Sequence, residues 1–308
     1  MNLISIDDFC NSFGATKESF GKECLELIEQ TDFSYEILEG EKRDELILEI
    51  LNKIENDQQR IGEPEREAIW NKGWQENLDK FIESGYHLKS IIPKFIRDDQ
   101  IIRLNGNYIE PNNPRFEYDY MTIFRKWLFE NHFAPFQNVY EFGCGTGLNL
   151  VLLSEIYPDK NLFGSDFVPA SVELVSEIGK QKGKRIKARK FDMIKPDYDF
   201  DIKPDSIIFT FGAIEQLASK FEDFIQYLLH FKPIKCIHIE PTVELYDSSK
   251  LFDYLAAKFH RKRGYTEGLL PRLMQLEQEG SAKIEKVQRL NFGSLFMEGY
   301  MYYIWQPI

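Results

Sequence analysis

The stretch Val139-Tyr140-Glu141-Phe142-Gly143-Cys144-Gly145-Thr146-Gly147-Leu148 decides how this chain is read. It predicts a short buried strand, a glycine turn, and a helix from Leu148 to Tyr157. Glycines at alternate positions let the backbone take conformations closed to other residues and approach a ligand without Cβ interference. Such a turn also aims free N–H groups and the positive end of the helix dipole at its occupant. Alone, G-x-G-x-G serves equally as an ordinary βα turn, because glycine punctuates turns of every kind.

The residues downstream break that tie. Asn161-Leu162-Phe163-Gly164-Ser165-Asp166 is an apolar run ending in a carboxylate. It lies about twenty residues beyond the glycines, where a nucleotide-binding βαβ unit places an acid on ribose hydroxyls. The dinucleotide fingerprint G-x-G-x-x-G/A fails, because Leu148 holds its third position. Arg185 to Phe191 predicts a third strand that ends at Asp192-Met193, an acid and an apolar group suited to an adenine's edge and face. Asp166 can also cap a helix before Pro169, and Asp192 can be a turn residue.

Glu141-Phe142-Gly143-Cys144-Gly145-Thr146-Gly147, Asp166 and Asp192 together resemble the class I S-adenosylmethionine-dependent methyltransferases. The resemblance covers residues 137–308. It implies an α/β fold: a seven-stranded, doubly wound, mostly parallel sheet of order 3-2-1-4-5-7-6, last strand antiparallel. It further implies that Gly143, Gly145 and Gly147 pass against the methionine part of S-adenosylmethionine. Asp166 would then bind the ribose and Asp192 the adenine amino group, with Phe167 and Met193 flanking the base. Glu141, Cys144 and Phe211 complete the implied cofactor set, and S-adenosylhomocysteine is the implied product.

The rest of the chain must supply the acceptor site. Its 308 residues suffice for one large domain or two modest ones. The net charge of −12 argues against a nucleic-acid partner, since phosphate binding needs a basic face. Lys180 to Lys190 is basic but lacks interleaved aromatics, and suits a protected sheet edge instead. Four scattered cysteines without ligand spacing predict a reducing, cytoplasmic setting and no metal. No apolar run is long enough to cross a bilayer.

Residues 1–115 predict a mainly helical lid and acceptor-binding region, and residues 116–308 the Rossmann-like domain. Leu25 and Ile28, then Leu46, Ile47, Ile50, Leu51 and Ile54, recur at helical spacing, with Gly40 between them. Pro64 opens a further helix through Trp70, Trp74, Leu78 and Phe81, whose aromatic stripe reads as core. Asn105-Gly106 predicts a small hairpin. Tyr118 to Glu130 predicts a helix ahead of the first strand, and by the resemblance Tyr118, Tyr120 and Arg125 are candidates to cover the cofactor and line the acceptor pocket. Packing against the sheet is the equal alternative for these three.

Ligands of open α/β sheets bind beyond the carboxyl ends of the strands. Glu215 and Gln216 follow the fourth strand, Ser206 to Phe211, and Glu240 ends the fifth, Ile234 to Ile239. Glu215 and Glu240 are therefore candidate bases, with His260 third. Arg263 and Tyr265 are candidate acceptor contacts in the loop 261–271. His238 alternates away from that end and reads as core. The implied reaction is methyl transfer to an oxygen or nitrogen of a small molecule such as a sugar, amino-acid derivative or specialised metabolite. The alternatives are methylation of a protein or peptide, and a cofactor-binding scaffold without catalysis.

Overall fold

The computed structural model describes residues 1–61 and 65–308, with the side chains of 65 and 66 left aside. Pro64 therefore lies outside the described residues. The N-terminal part contains β1 (Asn2–Leu3), α1 (Ile6–Phe13), α2 (Lys22–Gln30), β2 (Ser34–Ile37), α3 (Gly40–Asn56), α4 (Glu65–Glu83), β3 (Ile102–Leu104) and β4 (Asn107–Pro111). Then come α5 (Phe116–His132), β5 (Asn138–Phe142), α6 (Leu148–Ile156), β6 (Asn161–Asp166), α7 (Pro169–Gln181) and β7 (Ile186–Lys190). The chain continues with β8 (Ser206–Phe211), α8 (Glu222–Phe231), β9 (Lys235–Glu240), α9 (Leu251–Arg263) and α10 (Leu269–Gln278). It closes with β10 (Ala282–Gln288), β11 (Phe292–Gly293) and β12 (Met301–Pro307).

The main sheet runs β7-β6-β5-β8-β9-β12-β10. Numbered by their order within the sheet, the strands read 3-2-1-4-5-7-6, as the resemblance implies. β5 to β9 pair in parallel, and β12 is antiparallel to both its neighbours. Alternation along the strands feeds two apolar layers. Val139, Ile207, Phe209, Ile237 and Ile304 pack toward α5 and the N-terminal elements. Tyr140, Ile208, Cys236, Tyr303 and Trp305 pack toward α8 and α10. The basic run lies on β7, which is an edge strand.

The N-terminal region holds short strands besides its helices. A second, antiparallel sheet of order β1-β2-β4-β3-β11 is built there. These strands are two to five residues long, too short for periodicity to betray them. The strand-like stretch Ile284 to Phe292 is divided between β10 and β11. β11 leaves the main sheet and pairs Phe292 with Leu104 and Gly293 with Arg103. Gly293 permits this turn: a Cβ there would lie 2.3 Å from the Met297 carbonyl oxygen. The C-terminal strands thus clasp the N-terminal sheet, and one apolar layer joins Phe9, Phe13 and Phe33 to Phe124, Phe209 and Phe292.

Candidate active site

The glycine turn is pinned before any ligand arrives. Gly143 and Cys144 donate to the Ser165 carbonyl at 2.7 and 3.0 Å, tying the turn to the end of β6. Gly143 and Gly145 have φ of +74° and +51°, in the left-handed region where a side chain is strained. A Cβ on Gly143 would sit 2.3 Å from that of Ala213. Gly147 serves packing instead, as its Cβ would meet Val175 on α7 at 2.8 Å.

Two cavities meet over this turn. The first, about 260 Å³, is bounded by Gly143, Asp166, Phe167, Asp192, Met193 and Trp70. Asp166 accepts from the Gly145 N–H at 3.0 Å and the Val168 N–H at 3.0 Å, so it ties the glycine turn to the residue that precedes α7. Burial raises its carboxyl above the usual range, and those N–H donors pull it back. Asp192 accepts from the Ile194 N–H at 2.9 Å. The three strand ends singled out in the sequence share one cavity.

The second cavity, about 390 Å³, shares Trp70, Trp74, Gly143, Gly145, Gly212 and Gln216 with the first. Buried ionisable groups line it. Arg125 donates from Nε to Asn149 Oδ1 at 2.7 Å, and Asn149 donates from Nδ2 to Glu141 Oε1 at 2.7 Å. Arg125 Nη1 and Glu141 Oε2 are buried without a hydrogen-bond partner. Burial pushes the Glu141 carboxyl up to about 8, and its hydrogen bond from Asn149 and the nearby Arg125 only partly offset this. The Arg125 guanidinium lies 4.5 Å over the Phe211 ring. Glu117 accepts from the Tyr300 hydroxyl at 2.9 Å.

Several sequence-based assignments need correction. Glu240 lines neither large cavity. Its carboxylate accepts from Thr210 Oγ1 at 2.7 Å and from the N–H groups of Ala213, Ile214 and Glu215 at 3.1 Å each. It is a buried anchor for the turn after β8, and burial raises it to about 6. His260 is wholly buried, with Nε2 2.9 Å from the Thr266 carbonyl oxygen, and lines neither cavity. Tyr120 stacks on Phe292 at 3.7 Å and donates to Ser12 Oγ at 2.6 Å, which makes it core. Tyr118 lies under the Arg115 guanidinium, outside both cavities. Gly147 is likewise off both walls.

The other candidates sit on the walls. Phe211, Glu215, Gln216, Arg263 and Tyr265 line the second cavity, as does Cys144, whose thiol sits 3.7 Å from Ser171 Oγ. Arg263 pairs with Asp57. Sequence reasoning missed the role of Trp70 and Trp74, whose rings stack at 5.2 Å and roof both cavities. Helical spacing put them in line with Leu78 and Phe81, which are core. Only their exposure after folding separates the two pairs. Glu117, Asn149 and Tyr300 were also missed, being ordinary in type and unmarked by spacing. His238 is core, 3.0 Å from Thr210 Oγ1. Among the described residues, no cluster of three His, Cys, Asp or Glu side chains could hold a metal ion, and no helix is long and apolar enough to cross a membrane.

Sheet order and glycine turn together define a Rossmann-like protein of the class I methyltransferase fold. No protein-family model matches the chain, and no curated protein does. Similar solved structures include a geranyl diphosphate methyltransferase in complex with GPP and sinefungin, at 12% identity over 78% of this chain and 96% of that one, TM-score 0.47. Geranyl diphosphate C-methyltransferase from Streptomyces coelicolor A3(2) is 10% identical over 76% of this chain and 97% of that one, TM-score 0.45. The methyltransferase domain of bacterial CtHen1-C is 17% identical over 60% and 95%, TM-score 0.44.

Proposed function

We propose that this protein transfers a methyl group from S-adenosylmethionine to a nitrogen or oxygen of a small molecule. The observation that carries this is the Arg125–Asn149–Glu141 chain. Asn149 consumes one face of each charged neighbour and leaves one buried guanidinium nitrogen and one buried carboxylate oxygen without a partner. That is the complement of an α-amino acid: Nη1 for its carboxylate, Oε2 for its ammonium. Buried unpaired polar groups are costly, so such a pair is best explained by a ligand that satisfies both.

The adjoining cavity suits the nucleoside. Asp166 can still accept from ribose hydroxyls, because a carboxylate has about four acceptor positions. Asp192 and Met193 offer the edge and face that adenine needs, and Phe167 adds a second apolar wall. When bound, the cofactor supplies an activated methyl on a sulfonium; the protein contributes alignment and a dry cavity. Trp70 and Trp74 exclude water from above. Glu215, on the wall shared with the acceptor, is placed to receive a proton. Enclosure by Pro93, Phe95 and the indole pair favours a small acceptor over a protein surface.

Calorimetry with S-adenosylhomocysteine tests this. Wild type should bind it, and Arg125→Ala should weaken binding at least tenfold while leaving the fold intact by circular dichroism. Equal affinity in both proteins would show the amino-acid end bound elsewhere.

A further inference from the structure

We infer that the methyl acceptor is an amine on an aromatic or aliphatic body, held in the second cavity against Glu117; this rests on the donor reading above. With Arg125 and Glu141 assigned to the donor, the remaining wall is aromatic: Phe95, Phe259, Phe296 and Tyr300. Phe259 and Phe296 stack at 4.9 Å. The remaining charges are the carboxylates of Glu117 and Glu215 and, among the described lining residues, one cation, Arg263. Arg263 is committed, pairing with Asp57 and lying 5.1 Å over the Phe259 ring.

These charges sort acceptors by class. A carboxylate or phosphate group would enter a desolvated space facing like charges and a guanidinium already paired, which is strongly unfavourable. An ammonium would meet opposite charge and π faces, both favourable. Glu117 is only 6% exposed, so its interaction with a cation is poorly screened. Tyr300 donates to one of its oxygens and fixes the carboxylate's orientation.

The reaction balances with the groups present. The ammonium, held against Glu117, first gives a proton to Glu215 on the same cavity wall. The free nitrogen lone pair then forms a bond to the sulfonium methyl carbon. The carbon–sulfur bond breaks, both its electrons stay on sulfur, and the products are an N-methylammonium and a neutral thioether.

The test uses three probes of one body: 2-phenylethylamine, 2-phenylethanol and phenylacetate. Their affinities are measured by calorimetry on the ligand-free protein and on protein saturated with S-adenosylhomocysteine. The amine should bind at least tenfold more tightly than the other two. Glu117→Gln should bring it down to the alcohol's affinity while S-adenosylhomocysteine still binds as in wild type. Tyr300→Phe, which keeps the Glu117 charge, should retain the amine preference. Phenylacetate or the alcohol matching the amine, no binding of any probe, or a preference that survives Glu117→Gln would each overturn the assignment. Failure of S-adenosylhomocysteine to bind would instead sink the donor reading, and the probes on the ligand-free protein separate the two.

Discussion

The indole of Trp74 closes on the backbone of Gly145: a methyl group added to that glycine would lie 3.2 Å from the ring. Helix α4 thus roofs the loop that the cofactor must pass. Of the four tryptophans in the chain, Trp127 and Trp305 are buried in the core, while Trp70 and Trp74 line both cavities. Adding S-adenosylhomocysteine should change the intrinsic fluorescence. Trp70→Phe with Trp74→Phe should abolish the change, and Trp127→Phe should retain it. A signal that survives loss of both roof residues would place the ligand elsewhere.

Asp166 ties the glycine turn to the residue before α7 and lines the first cavity, where we propose the nucleoside binds. Asp166→Ala should weaken S-adenosylhomocysteine binding by about 1.5–3 kcal/mol, the range for hydrogen bonds to a charged group. That is roughly ten- to 150-fold in Kd. Calorimetry showing wild-type affinity would refute the assignment.

Glu141 makes binding proton-linked. In the ligand-free protein its carboxyl is raised to about 8 by burial, so at pH 7 it is mostly protonated. An ammonium against Oε2 favours the ionised form, so binding expels the proton. Affinity should therefore rise with pH between 6 and 7, approaching tenfold per unit. Calorimetry in two buffers of different ionisation enthalpy should show release of close to one proton at pH 7. Glu141→Gln should show none.

Glu240 accepts four donors around the turn that follows β8. Glu240→Gln would set an amide donor against backbone N–H groups, destabilising the fold by about 1–3 kcal/mol. Urea unfolding checks this. A loss of turnover without loss of stability would contradict the structural role.

Glu215→Gln should slow turnover and leave S-adenosylhomocysteine affinity within twofold of wild type, because Glu215 borders the second cavity and not the first. Single-turnover rates with an acceptor amine would show it. An unchanged rate would move the proton acceptor to Glu117.

Periodicity made the main sheet legible. Val139 to Phe142, Ile207 to Phe211 and Cys236 to Ile239 are mostly apolar runs, each interrupted once (Glu141, Thr210, His238), as parallel strands covered on both faces favour. The glycines and the acids ending β6 and β7 were legible for a related reason: a backbone brought against a ligand demands residue types that few other positions tolerate. The five-stranded N-terminal sheet was not legible, since β1 and β11 are two residues each, and β11 reaches β3 only across nearly 190 residues of chain.

The order of residues by itself determined the strand sequence, the glycine turn and the place of Asp166 and Asp192 after their strands, because those are constraints on local backbone. Tertiary structure alone decided which ordinary side chains reach the cavities. Trp74 and Phe81 share one helix and similar chemistry, yet one roofs a cavity and the other is core. Glu215 and Glu240 stand at neighbouring strand ends, yet one lines the second cavity and the other is locked by four donors. Burial and partner geometry are properties of the packed chain, so side-chain role emerges only when the elements meet.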